Sequence, residues 1–367
     1  MTTFSGSYDP QDAIFLLKVV ELAPLDIYSR ELRIQGGQSH YSEMIGPEAP
    51  PERHYLDIFY AALKRHIARL AQDCLKLAIV ISQERPSLIT LVSIARSGIP
   101  VGVVLTRILK KWLNRPVTHY VISVIRDRGV DENALKYILN RRPDSSVVFV
   151  DGWTGKGVIA QELRTAIGHF NQKTGAKLDP SLAVLSDLAG VAGLTVGVDD
   201  YLIPTCLLNS VVSGLISRTI LNEELIGPDD FHGCLFYKEL AQYDLSNWLV
   251  AIIMERAAAE LILNPRLWAA RNINPGLKSQ AAAVNEAFLA EIKKEFKIQD
   301  QNLIKPGLGE ATRVLLRRAP QILLVQDLED PDVAHALALA NQRGVPVQRR
   351  PDCPYRAAAI IRQLKKP

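Results

Sequence analysis

An acid at the end of an apolar run, followed by a glycine-rich turn, is the combination in this sequence best able to hold a phosphate. Val147–Val150 runs into Asp151-Gly152-Trp153-Thr154-Gly155-Lys156-Gly157 and then into the amphipathic residues 158–170. This predicts strand, tight loop and helix. Backbone N–H groups in such a loop, with a helix N-terminus behind them, make an anion site. Gly152, Gly155 and Gly157 let the backbone approach a ligand closely. Thr154 adds a hydroxyl donor, and Asp151 can accept from sugar hydroxyls. The pattern is not a Walker loop, because Val150 stands where the first Gly belongs and Gly157 where Ser or Thr should follow Lys156.

A second turn of this kind comes earlier. Residues 88–94 read as a buried strand, Ala95-Arg96-Ser97-Gly98-Ile99-Pro100 as a small-residue loop carrying one Arg, and residues 101–113 as an apolar helix. Two such loops at the carboxyl ends of parallel strands face one crevice.

Other groups also invite chemistry. Asp187, Asp199 and Asp200 flank the glycine-rich stretch after the last expected strand. One or two carboxylates plus substrate phosphates are the usual holders of magnesium, although solvated loop acids read equally well. Arg126, Asp127 and Arg128 could reach a diphosphate or form an exposed charged loop. His232-Gly233-Cys234 puts an imidazole and a thiol on one face of an extended segment. A thiolate needs a base or positive field beside it, but catalytic Cys and His usually come from distant segments. A small buried packing residue is the plainer reading of Cys234.

These features resemble the type I phosphoribosyltransferases. Arg96-Ser97-Gly98 is similar to their pyrophosphate loop. Val147–Val150, Asp151 and Thr154-Gly155 are similar to their phosphoribosyl-pyrophosphate (PRPP) loop, except that the second acid is Gly152 and the loop is short. The closer resemblance is to a divergent bacterial branch found with tellurium-resistance and stress gene clusters, some of whose members are labelled cysteine proteases. It rests on Asp200-Tyr201-Leu202-Ile203-Pro204, Leu208-Asn209-Ser210, Ser213-Gly214-Leu215-Ile216-Ser217-Arg218-Thr219 and His232-Gly233-Cys234, and reaches to about Leu263. It implies a mainly parallel α/β fold of the phosphoribosyltransferase type and PRPP across the crevice. The 5′-phosphate would lie on residues 154–157, with Trp153 in the same loop, and the pyrophosphate near Arg96, Ser97 and Gly98. Asp151 would hold the ribose. Magnesium would sit near Asp151, Asp199 and Asp200.

The elements that must position these residues are legible in outline. With 367 residues, 48% hydrophobic and 22% charged, the chain is long enough for several domains of ordinary globular character. Residues 1–51 read as an irregular extension. A recurrence of apolar residues every three or four positions from Leu56 to Leu77 predicts one long helix. Strands are expected at 88–94, 120–125, 147–150 and 182–185, alternating with helices, which argues a mainly parallel sheet covered on both faces. A phosphoribosyltransferase-like domain would span 52–264, with a helical connector at 265–302. Cys74, Cys206, Cys234 and Cys353 form no CxxC pair. The polar start lacks a signal-peptide pattern, and no long apolar run predicts a membrane span. A reduced cytoplasm is expected, and a homodimer is left open.

Beyond residue 303 the chain carries eleven Lys/Arg against six Asp/Glu, which hints at an anionic partner. Helices are expected at 310–318, 331–342 and 357–364, with strands at 322–325 and 345–348. This tail resembles the Pelota/L7Ae-like RNA-binding domain. Gly307-Leu308-Gly309-Glu310-Ala311-Thr312-Arg313 stands for that family's helix-start motif, with Gly309 in place of its base-contacting Asn, and Arg343-Gly344-Val345-Pro346 for its Gly-Val-Pro. The resemblance implies contact with structured RNA through Gly307, Gly309 and Glu310. Lys305, Arg313 and Arg317 could neutralise phosphates. The sequence thus predicts a phosphoribosyltransferase-type enzyme joined to an RNA-binding domain. The alternatives are a catalytically retired nucleotide- or RNA-binding protein, favoured by Gly152, and a thiol hydrolase using Cys234 with His232.

Overall fold

The computed structural model describes residues 2–363. Met1 and residues 364–367 lie outside them, among these Leu364, where the expected closing helix ends. The chain enters its main sheet at once. Strand β1 (Ile14–Phe15) lies in that sheet, β2 (Lys18–Val19) follows, and α1 (Ile27–Gln35) starts where Asp26 accepts from the Ser29 N–H at 2.9 Å. Phe15, Leu16 and Leu17 are fully buried. The stretch 1–51, expected as an irregular extension, is therefore built into the body from residue 2 onward.

Helix α2 (Arg53–Glu84) is the long helix that the spacing predicts. Strand and helix then alternate through β3 (Ile89–Ile94), α3 (Gly98–Lys111), β4 (Val117–Ile122), the short pair β5 (Val124–Ile125) and β6 (Gly129–Val130), and α4 (Glu132–Leu139). They continue through β7 (Val147–Val150), α5 (Val158–Thr174), β8 (Leu182–Val184) and β9 (Leu194–Thr195). The main sheet has the order β1-β4-β3-β7-β8-β9, and every pair is parallel. Strand β3 is buried along its whole length, as an apolar run covered on both faces must be. Its side chains alternate. Ile89 and Leu91 join the core under α2 and α3, while Val92 and Ile94 join the core under α4 and α5. Strand β10 (Gly233–Cys234) pairs with β2 outside this sheet, and α6 (Ser246–Leu263) packs on α2 and α3.

Helix α7 (Pro275–Glu295) leads into a second unit: β11 (Ile304–Pro306), α8 (Leu308–Arg317), β12 (Pro320–Val325), α9 (Ala334–Gln342), β13 (Val347–Arg349) and β14 (Ala357–Ile361). Its sheet runs β11-β14-β12-β13, with β14 antiparallel to both neighbours. The helix expected over 357–364 is thus a strand. Alanine favours helix, but the slot between β11 and β12 demands an extended segment, and all five residues are buried there. Helix α7 belongs to this unit rather than to a free connector. Tyr355 donates to Asn285 Oδ1 at 2.9 Å, Phe288 packs edge-on against Tyr355, and Arg350 pairs with Glu291 and Glu295.

Candidate functional site

The two glycine-rich turns meet. Strands β3 and β7 are neighbours in parallel register, Ser93 opposite Val150, so both turns leave the same sheet edge. Ser97 Oγ donates to Asp151 Oδ1 at 2.5 Å, and the Gly152 N–H donates to the same oxygen at 2.7 Å. A Cβ on Gly98 would stand 2.4 Å from the Val150 carbonyl oxygen, so only glycine lets the turns pass this closely. Burial pushes the Asp151 carboxyl up to about 6, against the pull of these hydrogen bonds. Arg96 reaches Asn209 Oδ1 at 2.9 Å and Glu48 Oε2 at 3.2 Å, and Glu48 also accepts from the Ser210 N–H and hydroxyl at 2.9 and 2.8 Å. Burial works against the charge on Glu48, but Arg96 and the Ser210 bonds outweigh it and hold the carboxyl below its ordinary range.

The loop at 151–157 is less open than its sequence implies. The Thr154 N–H donates to the Ser186 carbonyl at 3.2 Å and the Gly157 N–H to the Thr154 carbonyl at 2.9 Å, while the Thr154 hydroxyl accepts from the Ala189 N–H at 3.1 Å. Two of the expected phosphate donors, the Thr154 and Gly157 N–H groups, are therefore already engaged. Lys156 Nζ donates to the Gln301 carbonyl at 2.6 Å, and burial, then the charge of Lys305, brings its pKa down to about 7.

Helix α8 of the C-terminal unit forms the facing wall. Glu310 Oε1 accepts from Trp153 Nε1 and Arg313 Nη1, each at 3.1 Å, and the Arg313 guanidinium lies 5.5 Å from the Trp153 ring centre. A Cβ on Gly307 would stand 2.6 Å from Leu188 Cδ1, and one on Gly309 would stand 3.7 Å from Cys206 Sγ. Gly307, Gly309, Glu310, Arg313, Arg317 and Lys305, read from the sequence as an RNA face, thus line or abut the body. The open cavity between the two units is about 730 Å³ and draws nine Lys/Arg and six Asp/Glu from both. Its field is positive. Burial, with like charges nearby, lowers Arg317 to about 9 and Arg218 to about 10. Tyr41, under the guanidinium groups of both Arg126 and Arg218, and Glu48 were missed from the sequence. They come from a segment with no periodic pattern, and nothing local marks them.

The expected magnesium set does not assemble. Asp199 is exposed and pairs with Arg69 at 2.6 Å. Asp200 accepts from the Leu308 N–H at 2.8 Å and the Arg356 N–H at 2.9 Å, so it is spent at the start of α8. Among the described residues no three His, Cys, Asp or Glu are grouped to hold a metal.

Cys234 and His232 take the plainer of the readings given to them. Cys234 is fully buried, which pushes its thiol above the ordinary range. His232 Nδ1 hydrogen-bonds Ser123 Oγ at 2.8 Å, and burial lowers the imidazole. Cys206 stands nearer the cavity, beside its lining residues Leu207 and Leu208. Its carbonyl accepts from Arg317 Nη2 at 3.2 Å. Burial pushes this thiol up to about 12, while Arg313 and Arg317 pull it down.

The arrangement is a mixed α/β body with a mainly parallel sheet, whose strand ends and a C-terminal unit enclose one basic cleft. Residues 283–363 match the model of the PELOTA RNA binding domain, and residues 6–254 match that of a family described as tellurite-like stress resistance cysteine protease StiP. A protein of Acinetobacter baylyi named cysteine protease StiP is 39% identical over 376 residues, covering 99% of this chain and 95% of its own length. The chain belongs to the StiP family and carries a Pelota RNA-binding domain. The stress-cluster and Pelota resemblances agree with these matches, but the transferase expectation is overturned. The relative and the family are both named for a cysteine protease, which is a hydrolase. Among the described residues no helix is long and apolar enough to cross a membrane.

Proposed function

We propose that this chain, like the relative it resembles, is a cysteine-dependent hydrolase, that its substrate is an acidic peptide bound in the basic cleft, and that Cys206 is its nucleophile. The observation that carries this reading is the position of Cys206 beside the cleft and under Arg313 and Arg317. Positive charge is what a thiol needs to ionise. The thiolate would add to the substrate carbonyl carbon, expel the amine with a proton to give a thioester, and yield to water, which restores the thiol. With α8 fully docked, burial dominates and the thiol stays protonated, so turnover requires α8 to loosen enough to admit substrate to Cys206 while Arg313 and Arg317 stay beside it.

Cleavage of a peptide library, read by mass spectrometry, tests this. Acidic peptides should be cut by the wild type and by Cys234→Ser, and not by Cys206→Ser. Iodoacetamide at neutral pH should label Cys206 ahead of Cys234. Full activity in Cys206→Ser, or loss in Cys234→Ser with stoichiometric labelling of Cys234, would reverse the assignment.

A second reading has its own support: a binder of anions and RNA that does not turn over. All four cysteines are buried, and among the described residues no His lines the cavity. Failure of the purified chain to cleave any peptide, with anion binding retained, would favour it.

A further inference from the structure

We propose that Trp153, Arg313 and the turn at Gly155 form a carboxylate-binding subsite for an acidic side chain of the peptide substrate, and that Glu310 of the Pelota domain occupies it as a built-in competitor. This rests on the reading of the cleft as a site for acidic peptides. The occupant is visible. Glu310 Oε1 takes both an indole N–H and a guanidinium N–H at 3.1 Å. Its Cγ stands 3.4 Å from where a Cβ on Gly155 would be, and Gly155 holds a φ of +54°. The Glu310 side chain lies against the turn at ordinary van der Waals distance. Burial works against its charge, but Arg313, Lys305 and the indole bond outweigh it and keep the carboxyl below its ordinary range. A charge so held comes from a site shaped for an anion.

The same geometry selects a carboxylate over a phosphate. A phosphate on this loop would call on the Thr154 and Gly157 N–H groups, and both are spent, on the Ser186 and Thr154 carbonyls. The charge of Glu310 already helps to raise the nearby Asp151, so a dianion would oppose Asp151 more strongly. The donors that hold the Glu310 carboxylate are one indole and one guanidinium with flanking lysine charge, which suits a single carboxylate.

A competitor tethered in the same chain acts at an effective concentration on the order of millimolar, so an external acid must displace it. The test uses full-length protein on the Cys206→Ser background, where turnover is removed. A pentapeptide with a central Glu, its Gln twin and inorganic pyrophosphate are titrated calorimetrically into this protein with and without Glu310→Gln. The Glu peptide should bind the Glu310→Gln protein about tenfold or more tightly than its parent. The Gln twin should show no gain, and adding Trp153→Phe should erase the gain. In unmodified protein, the Glu peptide should speed hydrogen exchange in α8, which checks displacement without any substitution at Glu310. Equal Glu-peptide affinity with and without Glu310→Gln, an equal gain for the Gln twin, pyrophosphate binding above the Glu peptide, or unchanged α8 exchange would each overturn the subsite. The binding pattern without peptide cleavage by the wild type would sink the hydrolase reading and leave the subsite standing. Cleavage with no effect of Glu310→Gln would do the reverse.

Discussion

Arg317 of the Pelota domain donates through Nη2 to the backbone carbonyl of Cys206 in the body at 3.2 Å, so a residue whose sequence context implies RNA instead joins the two units. The bond is charge-assisted and its acceptor belongs to a fully buried residue. Removing the donor strands that carbonyl. Arg317→Ala should therefore lower stability by about 1–2 kcal/mol, read as a lower urea midpoint with an unchanged slope. An unaltered midpoint would mean that the contact adds nothing to docking.

What the sequence disclosed follows from where its signals are local. Gly98 and Asp151 announce themselves because each ends a buried apolar run, and their strands lie side by side, so the crevice at the strand ends was legible. The bonds that tie Thr154 to Ser186 and Ala189 were not, since these partners come from another strand end more than thirty residues on. Glu48 and Tyr41 reach the cleft from a stretch whose burial is wholly tertiary. Ala357–Ile361 was misread because propensity favours helix while the sheet needed a strand. The docking of α8 also escaped notice, for its polar residues carry the same types whether they face RNA or a neighbouring unit.

Asp200 links the units through a charge that titrates. It accepts from the Leu308 N–H at the start of α8 and from the Arg356 N–H, and burial lifts its pKa to about 6. A carboxyl raised on folding binds its proton more tightly in the native state. Its contribution is complete below the unfolded carboxylate range and is lost as pH climbs through about 6. Asp200→Asn keeps an acceptor and removes the titration. From pH 4.5 to pH 8 the melting temperature of the wild type should fall relative to the variant by on the order of 2 °C. Asp151 titrates in the same direction, but it is present in both proteins and cancels in the difference. A gap that stays constant, or widens in favour of the wild type at pH 8, would show that Asp200 is not the titrating group.

The Pelota domain should fold as a fragment only when α7 is kept. Asn285, Phe288 and the Arg350 pairs with Glu291 and Glu295 fasten that helix to the module. A fragment from Pro275 should therefore melt cooperatively, and one from Gln301 should not. Released from the body, Gly307, Gly309, Arg313 and Arg317 become accessible, and Lys305 with them. The longer fragment should bind structured RNA with an affinity that falls steeply with salt, as phosphate contacts release counterions. Arg313→Glu should weaken it across RNA sequences alike, and Gly309, which offers no side chain to a base edge, should keep discrimination small. The full chain must first undock α8, which dilutes its competent state. Its apparent affinity should therefore be about tenfold weaker or more, as measured by fluorescence anisotropy at matched salt. Equal affinities for fragment and full chain would place the RNA face elsewhere on the module, on residues that α8 leaves exposed.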